Sequence, residues 1–378
     1  MPSTSQLLSN DSSSSSYHPP QNPSVQKSKM PVASPFESSI AKPGQGTVVL
    51  SLLPPANPSL STLTYKYPLK LLTRTPGFVP QSVSSSASQP VHLYLLTYGG
   101  GLLPGDQIDV SITLEPRTRL VVTTPQGSTK IFKTETSPGR TLSDQSRQNL
   151  DVHIGQEAAL CYLPDPSAPF KDSRYEQIQT FTVSNSAKDS TRASLCVLDW
   201  VTQGRISRGE NWDLRLWKGK NEIWLDQPEL ATSNGVMKKK KKLLLRDSLI
   251  LNDELPEQHD DNPPKSLIRE RTSPHGVIGT LILYGPVFAS LSNFFVEKFG
   301  SLPRIGARNW SSSVPAATDV PENYDAPVTF TVARVRAGCV LVKFGAADFE
   351  TAKDWLGGVL REEGSIAKEF GEEALFCL

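Results

Sequence analysis

The sequence predicts a mainly β fold, a sandwich, barrel or coiled sheet, with two or three helices gathered toward the C-terminus. Three observations predict it. Short β-branched, aliphatic and aromatic runs recur roughly every 8–20 residues with turn signals between them. No helical period appears before residue 230, so the crossover helices of a parallel α/β fold are missing. Thirty-one prolines and 25 glycines stand against three methionines in 378 residues.

Residues 1–45 are Ser-, Pro-, Gln- and Asn-rich, with too little apolar surface to offset the entropy of ordering, and are expected as a disordered tail. Residues 46–378 are expected as one β-rich domain. Within it, 47–53, 63–73, 91–97, 108–114 and 119–124 read as strands, and a glycine-rich turn leads into another at Ile131-Phe132. The theme continues at 150–154, 158–163, 175–183, 195–201, 212–217 and 222–230. Residues 232–275 break it with the block Lys238–Lys242 and an acidic, proline-bearing stretch, and are expected as a mobile charged insertion. Beyond lie a strand at 277–284, helical spacing of Phe288, Leu291, Phe294, Phe295 and Phe299, and a hairpin joining 328–335 to 339–344. Asp348 then caps the best helix, with Phe349, Ala352, Trp355, Leu356, Val359 and Leu360 on one face. That face is read first as core, with a partner-docking surface as the alternative.

Charge excludes one class of function. Lys and Arg total 39 against 38 Asp and Glu, a formal net charge of +1, which does not suit a dedicated nucleic-acid binder. Four scattered cysteines without a C-x-x-C pair read as a reduced, cytoplasmic protein. No run of about 18 apolar residues predicts a membrane-spanning helix, and the N-terminus lacks the pattern of a secretory signal.

The candidate chemistry is oxygen-rich. Tyr98-Gly-Gly-Gly-Leu-Leu-Pro-Gly-Asp106 lacks the Gly-Lys-Ser/Thr ending and the following helix of a phosphate loop, and reads as a structural turn presenting Asp106. Gln126-Gly-Ser-Thr-Lys130 has a phosphate site's composition in the wrong order, and a hydroxyl-capped turn reads equally well. Asp199 sits among apolar strand residues, where a carboxylate is costly unless satisfied. It either neutralises an arginine such as Arg205 or lines a polar passage. The five histidines are scattered, none beside a Cys or another His at ligand spacing, and there is no G-x-S-x-G. A hydrolase using Asp106 and Asp199 as an acid/base pair, and a metal-independent β-sandwich interaction module, remain the alternative functions.

Taken in order, these segments resemble one family. They are His92-Leu-Tyr-Leu-Leu, Gly-Gly-Gly-Leu-Leu-Pro-Gly-Asp106, Leu120-Val-Val-Thr-Thr-Pro-Gln-Gly-Ser-Thr-Lys-Ile-Phe132, Leu160-Cys-Tyr-Leu-Pro-Asp165, Gly204-Arg205 with Gly209-Glu210, and Gly279-Thr-Leu-Ile-Leu283. From about Gly46 to the C-terminal helix they resemble the urease accessory protein UreD (UreH), and the long tail and the 232–275 insertion suggest a eukaryotic, fungal-type version. The resemblance implies a helically coiled arrangement of β-sheets and a non-enzymatic maturation factor with no tightly bound cofactor. It implies binding of apo-urease and a helical UreF-like partner, and through that complex a UreG-like GTPase. It also implies a polar interior through which a nickel ion passes in transit, and the positions matching that passage are Asp106, Thr129, Asp199 and Asp226. Carboxylate and hydroxyl oxygens hold a divalent ion more loosely than a closed His/Cys cage does.

Overall fold

The alternation of the sequence is realised as a chain that winds between two sheets. The structure, a computed structural model, describes residues 42–74, 88–133, 145–184, 192–231, 237–253, 267–302, 327–335 and 338–378. Ala41–Leu378 form one compact unit. Residues 1–41 of the expected tail lie outside the described residues.

The first strands are β1 (Gln45–Leu53), β2 (Asn57–Tyr65), β3 (Leu69–Arg74), β4 (Val91–Thr97), β5 (Gly101–Leu102) and β6 (Gln107–Leu114). Next come β7 (Arg119–Thr123), β8 (Thr129–Ile131), β9 (Ser146–Ile154), β10 (Ala159–Tyr162), β11 (Ser167–Pro169) and β12 (Arg174–Val183). The last are β13 (Ser194–Thr202), β14 (Leu216–Ala231), β15 (Met237–Asn252), β16 (Val277–Tyr284), β17 (Val328–Arg334) and β18 (Val340–Ala346). The helices are α1 (Leu267–Thr272), α2 (Ala289–Gly300), α3 (Phe349–Glu363) and α4 (Ser365–Phe370). One sheet runs β15-β14-β12-β9-β6-β1-β2. The other runs β17-β18-β16-β13-β10-β7-β4-β3, with β5, β8 and β11 off that path.

From β6 to β14 the chain lays strands alternately in the two sheets. β6, β9, β12 and β14 are parallel neighbours in the first sheet, and β7, β10 and β13 in the second. A parallel neighbour requires a long crossover, and here a strand of the opposite sheet serves where an α/β protein would use a helix. The fold is therefore mainly β, as expected, but its central strands are parallel, a pairing that the sequence-based argument tied to helices.

Two cores follow. The first lies between the sheets, and the second lies between the second sheet and α2, α3 and α4. Strand β13 serves both through its period-2 alternation. Leu195, Val197 and Val201 enter the first core, whereas Cys196, Leu198 and Trp200 enter the second. The same parity points Asp199 between the sheets. Helix α3 is capped as expected: Asp348 accepts from the Thr351 N–H at 2.9 Å. Its apolar face is core, with Ala352, Leu356, Val359 and Leu360 all buried in the second cluster.

The expected insertion at 232–275 contains two ordered elements, β15 and α1; residues 232–236 and 254–266 lie outside the described residues. β15 pairs antiparallel with β14 over its whole length. The reason is legible after the lysine block: Leu245 and Leu251 are buried, with Asp247 and Leu249 at the same parity, giving an inward row two residues apart.

Candidate functional site

Asp199 is 8% exposed, and its carboxylate meets two side-chain amides from the opposite sheet. Gln177 Nε2 donates to Oδ1 at 3.0 Å and Asn221 Nδ2 to Oδ2 at 2.6 Å. Burial raises its pKa to about 6, even though both amide hydrogen bonds favour the charged form; Asp247 raises it further and Lys343 lowers it. Gly219 makes this arrangement possible: a Cβ there would lie 2.4 Å from the Trp217 ring and 3.2 Å from Asp199 Oδ2.

Asp199 lines a cavity of about 10 Å³, room for about one water molecule, together with Thr129, Tyr162, Tyr175, Gln177 and Gln179. Gln179, 1% exposed, leaves its Oε1 without a protein hydrogen-bond partner, and so does Asn221 at Oδ1 in the register position beside it. The cavity thus offers a carboxylate and an unpartnered amide oxygen, a pair that suits a water or a cation.

A polar row continues from Asp199 toward one side of the sheets. Register aligns Asp199 with Thr280 and Thr280 with Lys343 in the second sheet. In the first sheet it aligns Gln179 with Asn221 and Asn221 with Asp247. Lys343 Nζ donates to Asp247 Oδ1 at 2.7 Å, joining the rows from the two sheets. This end is more open, since the Lys343 side chain is 43% exposed and that of Asp247 12%.

The four candidates from the sequence divide. Asp199 and Thr129 share the cavity. Asp106 is half-buried and closes the glycine turn, accepting from the Leu103 N–H at 2.8 Å, and it is not among the residues lining the cavity. Asp226 has the opposite parity to the core residue Ile223 and lies 3.6 Å from His153 Nδ1. Asp106 therefore does not line the Asp199 cavity, where an acid/base pair of the two would have to act. Arg205 is not the partner of Asp199. Its backbone N–H and Nε donate to Glu210 at 2.9 and 3.0 Å, and its terminal nitrogen also bonds that carboxylate. Burial would raise the Glu210 pKa, but these bonds outweigh it and hold the carboxyl below its ordinary value.

The turn at 126–130 is capped by a carboxylate, in place of the expected hydroxyl. Asp165 Oδ2 accepts from the N–H groups of Gln126 and Gly127, both at 2.8 Å, while the Asp165 N–H donates to Thr124 Oγ1 at 2.8 Å. Burial raises the Asp165 pKa against those two bonds. Asp165, Gln177, Gln179 and Asn221 escape the sequence reading; the only signal for any of them is the Leu-Pro-Asp165 motif. Among the described residues no three His, Cys, Asp or Glu side chains converge as a metal cage.

Fold and site together define a class: a coiled two-sheet β protein whose most distinctive interior feature is a small oxygen-lined cavity. The family model of the UreD urease accessory protein matches residues 45–374, and the chain belongs to that family. It is 32% identical over 291 residues to a protein of Schizosaccharomyces pombe described as an uncharacterized urease accessory protein ureD-like, covering 77% of this chain and 84% of that one. It is 28% identical to urease accessory protein 4 of Cryptococcus neoformans over 346 residues, covering 87% and 93% of the two chains. With urease accessory protein D of Arabidopsis thaliana it shares 35% identity over 161 residues, 43% and 48% of the two chains. Family membership gives the chain a role in urease maturation. No described helix is long and apolar enough to cross a membrane.

Proposed function

We propose that the chain is a non-catalytic scaffold that binds apo-urease and a UreF-like helical partner, through which a UreG-like GTPase joins. Within that complex it passes nickel through its inter-sheet space, and the complex works in the cytoplasm. The observation that supports this reading is the Asp199 cavity. A carboxylate facing neutral amides and unpartnered carbonyl oxygens offers a divalent ion a loose oxygen set that it can leave again. The row through Thr280 and Asn221 to Asp247 continues these donors toward the more open end. Asp199 and Thr129 are the first residues of the route. Asp106 shapes the turn before β6, and Asp226 stands outside the cavity.

Co-expression with urease and its accessory proteins tests this. Asp199→Ala should lower the nickel content of urease severalfold while the purified complex keeps its composition; Asp226→Ala should leave loading unchanged. Normal loading by the Asp199→Ala chain would refute the route.

A further inference from the structure

A second cavity, about 470 Å³, opens outside the first. Short strands β8 and β11 separate them. These pair in parallel, with Ser167 opposite Thr129 and Ala168 opposite Lys130. Alternation sends Thr129 and Ser167 to the inner cavity, and Lys130 and Ala168 to the outer cleft. The cleft is larger and chemically opposite to the cavity behind it.

Its apolar lining includes three rings. Phe132 and Phe170 meet edge-to-face at 5.3 Å, and Phe349 joins them. Its charged lining is Lys130, Arg205 and Arg208, with no Asp or Glu among the lining residues. Arg205 is already neutralised by Glu210, and its guanidinium lies 3.8 Å from the centre of the Phe170 ring. Lys130 and Arg208 are exposed, two cations beside the aromatic wall that have no carboxylate partner among the described residues. The wall is held in place: Gly204 adopts φ +105° where a Cβ would approach Pro169 O at 3.0 Å, and Glu210 ties the following turn to Arg205. Asp165 fixes the 126–127 turn at the other side. A rigid cleft of this size, part apolar and part cationic, lowers the ordering cost of binding.

We infer that this cleft takes an acidic peptide segment of a partner protein. An aromatic or leucine side chain would lie on the Phe132–Phe170 wall, and an Asp or Glu a few residues away would meet Lys130 and Arg208. A free small anion would satisfy the cations but leave the ring surface uncovered, which favours the peptide. The inference rests on the reading above only in taking the ligand to be a protein, and it supplies that partner's chemistry.

A displayed random octapeptide library, panned on the full chain, tests it. Enriched peptides should carry Asp or Glu beside Phe, Trp or Leu. Synthetic copies should bind about tenfold more weakly to the Lys130→Glu/Arg208→Glu double variant. Exchanging acidic for basic residues in the peptide should restore binding to that variant. Both side chains are exposed, so the variant should keep the wild-type unfolding transition. Peptides without acidic bias, binding indifferent to the double variant, or displacement by millimolar inorganic phosphate would each overturn the inference. The Asp199→Ala chain should bind the peptides as wild type does, so a failed nickel route and a failed cleft give different results.

Discussion

At Asp199 the structure keeps a carboxylate where it opposes folding. In an unfolded chain its pKa is near 3.8, and in the native cavity it is about 6. Below pH 3.8 both states carry the proton and there is no penalty. Between 3.8 and 6 the native state binds the proton more tightly, so stability falls as pH rises. Above 6 the whole penalty is present, with a ceiling of about 3 kcal/mol. Asp199→Asn removes the ionisation. The unpartnered Oδ1 of Asn221 allows its amide to turn and accept from the new one. The variant should therefore melt above wild type at pH 7, and the difference should shrink toward zero at pH 4. A melting temperature difference that stays constant over that range would show that the carboxylate ionises as readily in the native cavity as in the unfolded chain, and would overturn the raised pKa. Asp199 was legible in the sequence because a lone acid in an apolar strand demands a reason. Its partners were not. In β12 the inward residues are Tyr175, Gln177, Gln179 and Phe181, while Ile178 takes the other face. Alternation with Tyr175, Phe181 and Val183 puts both glutamines on the inward face, but a glutamine in a strand carries by itself no mark of a cavity, so the residues that build it pass for ordinary polar positions.

At the scale of elements, capping is the clearest case of local chemistry deciding structure. Asp348 accepts from the Thr351 N–H and from Thr351 Oγ1, both at 2.9 Å, at the start of α3. Asp348→Ala should cost about 1 kcal/mol, a fall in melting temperature of about 1–3 °C. Asp348→Ser, which retains a capping oxygen, should recover most of it. Equal losses for both variants would mean that charge at the helix start, and not the cap, is responsible. Helices of this kind can be read from sequence because cap and apolar stripe lie within a few residues. The strand Leu216–Ala231 could not: Trp212 takes a positive φ of 58° just before it, and the sequence splits the region into two shorter runs. β15 was hidden for a different reason, since the lysine block masks the alternation that begins only at Leu245.

The whole molecule depends on a sheet that is buried on both faces. Parallel and antiparallel ladders use the same residue types, so the β class was legible while the coiled route of the chain was not; that route is defined by pairs such as Cys161 with Cys196, far apart in sequence. Its energetic consequence is specific. Cys161, Cys196, Leu198, Trp200 and Leu281 are all buried beneath the helical layer, and none of them belongs to the inter-sheet core. A chain ending after Ala346 keeps every strand and the first core but loses α3 and α4. Each large apolar side chain left bare forfeits about 1.5–3 kcal/mol of burial, and the exposed residues would form a continuous apolar patch far larger than soluble surfaces tolerate. That truncated chain should be recovered as aggregate, or as oligomers that bind a hydrophobic dye, under conditions where the full chain unfolds in a cooperative transition. Recovery of a monomer with an unchanged melting transition would show that the inter-sheet core alone sustains the fold, and that the helical layer serves another purpose.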